Sequence, residues 1–110
     1  LIILYYNQER ARVKNKEGNK MENTYKLTGS EKQITWATDI INDVMDTLDK
    51  NIEINKERNQ ERDVKAFEMI KNKINKIINQ KKEASFYITN KNAFNPYTVI
   101  KTAEEARNRM

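Results

Sequence analysis

Residues 28–48 read Thr28-Gly29-Ser30-Glu31-Lys32-Gln33-Ile34-Thr35-Trp36-Ala37-Thr38-Asp39-Ile40-Ile41-Asn42-Asp43-Val44-Met45-Asp46-Thr47-Leu48. Thr28 and Glu31 make a T-x-x-E capping box, and Ser30 with Gln33 offers an overlapping S-x-x-Q, so a helix starts near residues 29–31. Behind that start, Ile34, Ala37, Ile41, Val44 and Leu48 recur at alternating three- and four-residue steps. At roughly 100° per residue they stay within about 80° of arc, which is one narrow apolar seam. The fold class that follows is all-α.

Toward the C-terminus, no glycine or proline interrupts the chain from Ser30 until Pro96. The apolar pattern lapses between Asn55 and Asp63, where residues 56–62 offer nothing to bury, and the turn belongs there. A second seam follows at Phe67, Ile70, Ile74, Ile77, Lys81, Ala84 and Ile88, with Lys81 its one polar member. The spacing predicts two helices, over about 30–57 and about 63–91, each about 40–45 Å long. Seams this narrow suit a long antiparallel hairpin packed in coiled-coil fashion. Asn95-Pro96 supplies an N-cap with proline at the first helical position, so a short third helix runs over about 96–108. It would bury Val99, Ile100, Ala103 and Ala106. Two paired helices alone bury less than a globular core. A third-helix cap, or a homodimer forming a four-helix bundle, would close the seams.

The remaining composition excludes more than it identifies. The chain has 110 residues, 34% charged and 37% hydrophobic, which supports one domain, over residues 21–110. It has no cysteine, so disulfide scaffolds and thiolate chemistry are out. It has no histidine either, which removes the usual zinc sites and His-dependent triads; no cofactor or metal is expected. No apolar run approaches the roughly 20 residues that span a bilayer, and the composition reads as a soluble, intracellular, helix-rich domain. Asn, Lys and Ile supply 15, 15 and 13 residues, a bias that A/T-rich codons explain without a binding code.

Residues 1–20 stand apart. An apolar run over residues 1–6 precedes the basic residues Arg10, Arg12, Lys14 and Lys16, the reverse of a secretory signal. Lys16-Glu17-Gly18 can be encoded by a purine-rich ribosome-binding sequence just ahead of Met21. Translation is therefore expected to begin at Met21, with residues 1–20 a translated leader; the other reading is a disordered basic tail. These twenty residues carry +3 of the formal net charge of +5.

The rest of the charge is segregated. Residues 21–63 carry a net −4 and residues 64–110 a net +6. Attraction between the arms would favour an antiparallel hairpin, but the geometry favours solvated faces. Asp39, Asp43, Asp46 and Glu53 fall within about 80° of one another, opposite the first seam. They form a stripe that a basic partner could dock on. Carboxylates on a convex helix face do not converge on a metal. The second helix offers Lys71, Lys73, Lys76 and Lys82, joined by Lys91, as a nucleic-acid face.

Catalytic candidates fail on chemistry. Beyond Met21 the serines are Ser30, taken by the helix start, and Ser85, and neither has a histidine to activate it. Lys81 in an apolar seam reads as a stem covering the seam with its ammonium in water, rather than an amine nucleophile. The expectation is a protein that is not an enzyme.

Trp36 lies about 120° off the centre of the first seam, on the flank of Ile40. Packing beneath the third helix or the 25–27 segment is the first expectation for it, and a contact site the second. Phe86, Tyr87 and Ile88 lead into Thr89-Asn90-Lys91-Asn92-Ala93-Phe94, where aromatics among Lys and Asn could stack bases. Core packing at the helix end is the competing reading.

Two segments carry a resemblance. Leu27-Thr28-Gly29-Ser30-Glu31-Lys32-Gln33-Ile34-Thr35-Trp36-Ala37 is similar to the L-T-G-S-E-K-Q-I-x-W-A opening of a small helical module of phage and plasmid (mobile-element) proteins. Ala84-Ser85-Phe86-Tyr87-Ile88-Thr89-Asn90-Lys91 is similar to its A-x-F-W-I-D-N-R, with Tyr87 for Trp, Thr89 for Asp and Lys91 for Arg. The resemblance covers residues 27–91 and implies a helical hairpin of mobile-element origin, with no catalytic residues. The expected function is a non-catalytic protein of a phage or mobile element that binds a host or element protein, such as an inhibitor of a bacterial defence system (anti-CRISPR-like). Its contact surface would use Trp36, Ile40, Phe86 and Tyr87, then Asp39, Asp43 and Asp46. The competing classes are a nucleic-acid-binding accessory protein using the lysine face and a purely structural homodimer.

Overall fold

The structure is a computed structural model that describes residues 23–110, so the expected leader and the Met21 start lie outside the described residues. Four helices follow in order: α1 Glu31–Glu57, α2 Glu61–Gln80, α3 Ala84–Thr89 and α4 Pro96–Asn108. The fold is all-α, and α1 packs against α2, α3 and α4 while α2 also packs against α4.

Local chemistry accounts for each boundary. At the start of α1, Ser30 and Gln33 form the capping box, each side chain accepting from the other's backbone N–H at 3.1 Å. Of the two overlapping signals the S-x-x-Q operates, because Thr28 is engaged elsewhere. The α1–α2 turn falls at residues 58–60, inside the apolar lapse. There Asn59 takes a left-handed φ of +59° and the Gln60 N–H donates to the Asn55 carbonyl at 2.9 Å. Helix α4 has its expected bounds, with the Asn95 Oδ1 accepting from the Thr98 N–H at 2.9 Å and Pro96 in the first turn.

The expected 63–91 helix is instead two helices. Lys81 leaves helical geometry at φ −101°, ψ 103°, and the chain runs extended to Glu83. The cause is a pairing with Thr28, whose N–H donates to the Lys82 carbonyl at 2.7 Å and whose carbonyl accepts from the Ala84 N–H at 2.8 Å. Tyr87 holds the break from inside, donating its hydroxyl to the Lys81 carbonyl at 2.7 Å. The polar member of the second seam thus sits where the helix ends: Lys81 is exposed, its Nζ 5.6 Å from the Phe86 ring.

The core follows the seams. Ile34, Ala37, Ile41, Val44 and Leu48 of α1 are all buried, facing Ala66, Phe67, Ile70, Ile74 and Ile78 of α2. Ile78 takes the core position predicted for Ile77, and Ile77 and Ile88 are half-buried. Val99, Ile100, Ala103 and Ala106 bury α4 as expected. The third-helix cap is therefore one way in which this chain closes its seams. Beyond Leu48 the α1 seam continues at Asn51 and Asn55, fully buried. Their Nδ2 groups donate to the Thr47 and Asn51 carbonyls at 2.8 Å. No donor among the described residues reaches either Oδ1.

Candidate contact surface around Trp36

The two segments that carry the resemblance meet in space. Leu27 is buried, Thr28 pairs with residues 82–84, and Gly29 lies against Ala84, where a Cβ on the glycine would come within 3.3 Å of the alanine methyl. Ala84 and Tyr87 have no exposed surface. Tyr87 packs edge-on between Phe86 and Phe94, with both ring centroids 5.0 Å away. Leu27, Thr28, Gly29, Ala84 and Tyr87 are thus spent on holding the junction of the 23–30 segment, α1 and α3.

Trp36 is what the junction leaves outside. It is 50% exposed, so the expected packing beneath α4 or the 25–27 segment does not occur. The 25–27 segment is held on another side of α1. Tyr25 donates its hydroxyl to Asn42, and Asn23 brackets Leu27 with two 2.8 Å hydrogen bonds. Lys91, from the α3–α4 loop, sets its Nζ 6.0 Å from the centre of the indole. Ile40, one turn along the same flank, is half-buried.

The remaining predicted site residues divide. Asp39 and Asp46 are exposed and Asp43 is half-buried. Trp36, Asp39, Asp43 and Asp46 recur at steps of three, four and three, so they share one strip of α1 within about 80° of arc. Phe86 is half-buried, and Tyr87 is removed from any contact surface by its burial and its structural hydrogen bond. Asp46 does reach inward electrostatically: burial first, then its carboxylate, push the Tyr25 hydroxyl above the ordinary 10.0. Burial alone pushes the Tyr87 hydroxyl up.

The lysine face does not assemble as one patch. Lys71 turns toward α1 and pairs with Asp49 at 2.6 Å. Lys82 is half-buried, donating its Nζ to the Tyr25 carbonyl at 3.1 Å, and Lys91 stands over Trp36. Only Lys73 and Lys76 of the five keep to the outer face of α2, both exposed. The two net-charged arms are joined by the Lys71–Asp49 pair, both of whose side chains are substantially exposed, a contact worth about 1 kcal/mol at most.

Sequence reading missed Asp63. It sits in the first turn of α2 with a side chain 2% exposed, and Arg107 of α4 approaches its Oδ1 at 3.3 Å. Arg62 beside it donates to the Arg107 and Met110 carbonyls at 3.1 and 3.3 Å, tying the start of α2 to the end of α4. The signal was an acidic residue at the edge of the second seam, which the surrounding charge concealed. Among the described residues no group of three or more Asp or Glu is placed to hold a metal ion, and no helix is long and apolar enough to cross a membrane.

Comparison with protein-family models, curated proteins and solved structures finds no match to this chain.

Proposed function

We propose that this chain is a non-catalytic protein of a phage or mobile element that works by contacting another protein through the Trp36–Ile40 flank of α1. The observation that carries the reading is the half-exposed Trp36. A tryptophan left in water forgoes much of the burial free energy its large ring offers, and tryptophan is enriched among the residues that anchor protein interfaces. The seam residues of α1 are all buried, so the exposure of Trp36 is not a sign of a loose fold. The resemblance of residues 27–37 and 84–91 to a mobile-element module supports the setting, and inhibition of a bacterial defence system in the cytoplasm is the role that setting suggests.

The nucleic-acid reading loses ground because Lys71, Lys82 and Lys91 each face a different group within the fold. Affinity capture from a low-G+C bacterial lysate separates the two classes. A discrete protein retained after nuclease treatment and moderate salt is the expected result, since an apolar contact lacks the steep salt dependence of phosphate binding. A retained profile that disappears with nuclease would overturn the reading.

A further inference from the structure

The surroundings of Trp36 also bear on what kind of partner segment it takes, an inference that rests on the contact reading above. Two features of the same strip point one way. The face of the indole is already visited by a cation, the Lys91 ammonium at 6.0 Å from the ring centre. Along α1 from the indole, the exposed carboxylates of Asp39 and Asp46 continue the strip. Ten residues of helix place Asp46 about 15 Å from Trp36, the reach of a short bound segment. Helix α1 as a whole carries seven acidic and three basic residues, although the full chain is basic.

We infer that the Trp36 strip docks a basic, arginine-bearing peptide segment of a partner protein, with one guanidinium replacing Lys91 over the indole and others pairing with Asp39 and Asp46. The chemistry suits arginine. Its planar cation stacks on an indole better than an ammonium does, and it meets carboxylates through two parallel hydrogen bonds. In this arrangement Lys91 is an internal competitor for the indole face. An acidic or nucleic-acid occupant would instead meet the carboxylates of Asp39 and Asp46 as like charges.

The test uses the full chain and three fluorescein-labelled probes read by anisotropy: an arginine-rich dodecapeptide, a glutamate-rich one of equal length and a twelve-nucleotide oligo-dT. The arginine peptide is expected to bind in preference to the other two. Trp36→Ala should weaken it about three- to fivefold, the size of a surface cation–π contact. Asp39→Asn with Asp46→Asn should weaken it by a similar factor. Glu104→Gln with Glu105→Gln, on the exposed side of α4, should leave it unchanged. Lys91→Gln should tighten it by clearing the indole. Binding that ignores both the Trp36 and the Asp39/Asp46 changes would overturn the inference, as would no binding of the arginine peptide. Preference for the glutamate peptide would overturn it too, while leaving a protein contact at Trp36 intact. Preference for oligo-dT, lost with Trp36→Ala, would overturn both this inference and the protein-contact reading.

Discussion

Gly29 takes a φ of +138°, a backbone conformation that residues with a Cβ rarely adopt, and it does so where α1 begins and α3 packs. A Cβ there would lie 2.9 Å from the Gln33 Oε1, the atom that completes the capping box, and 3.3 Å from the Ala84 methyl. Gly29→Ala is therefore expected to destabilise the protein by about 1–3 kcal/mol, through backbone strain and a disturbed cap. Urea unfolding checks it, and a loss no greater than that of an exposed control such as Thr35→Ala would contradict it. Tyr87 is the second decisive residue. Tyr87→Phe keeps the packing against Phe86 and Phe94 and removes the hydrogen bond to the Lys81 carbonyl, so a loss of about 1 kcal/mol is expected in the same measurement. Burial and hydrogen bonding of this tyrosine leave Phe86 as the half-buried member of the predicted Phe86–Tyr87 pair. The sequence showed two adjacent aromatics, but a carbonyl freed by a helix break six residues earlier is a tertiary fact.

At the scale of elements, the seams of α1 and α4 were legible because each is written in an unbroken three- and four-residue rhythm with its own cap. The second seam kept that rhythm through Lys81 and Ala84 although the helix stops at Gln80. Periodicity could not reveal the stop, since its cause is Thr28, more than fifty residues away in the chain. The same rhythm did contain the polar end of the α1 seam, at Asn51 and Asn55, but an apolar template passes over asparagine. Their Oδ1 atoms are buried without a donor among the described residues. Asn51→Leu, with the same number of side-chain heavy atoms, is accordingly expected to raise stability by about 1 kcal/mol, and a fall of that size on thermal or urea unfolding would contradict it. The opposite holds at the α2–α4 tie. Asp63 is almost fully buried and its charge faces the partly exposed Arg107, so Asp63→Ala should cost about 1.5–3 kcal/mol. A double-mutant cycle with Arg107→Ala should show positive coupling between the two, and strict additivity would contradict the pair.

For the whole molecule, the charge arithmetic says little about function until the fold assigns each charge a place. On the basic arm, three of the five candidate lysines are drawn to separate points on the structure. The acidic arm, in contrast, keeps exposed carboxylates in line with the exposed indole. Stability should also respond to alkaline pH in a defined direction. Tyr25 and Tyr87 both have hydroxyls pushed above 10.0, so the folded chain holds their protons more tightly than the unfolded chain does. Their contribution is fully present below the unfolded value of about 10 and is lost as pH rises through the folded values. Unfolding free energies measured from neutral pH to above pH 10 should fall more for the natural chain than for Tyr25→Phe with Tyr87→Phe. Equal slopes would show that neither phenol is shifted.

The central claim, that Trp36 marks the surface where another protein binds, can be tested by position. A photo-crosslinking residue, p-benzoylphenylalanine, placed at Trp36 in one version of the chain and at Tyr97 in another would compare two aromatics of nearly equal exposure, 50% and 53%. Irradiated in a bacterial lysate after nuclease treatment, the version altered at Trp36 should give one discrete protein adduct that the version altered at Tyr97 does not. The same adducts from both positions, or adducts from neither, would contradict the assignment of the contact to Trp36.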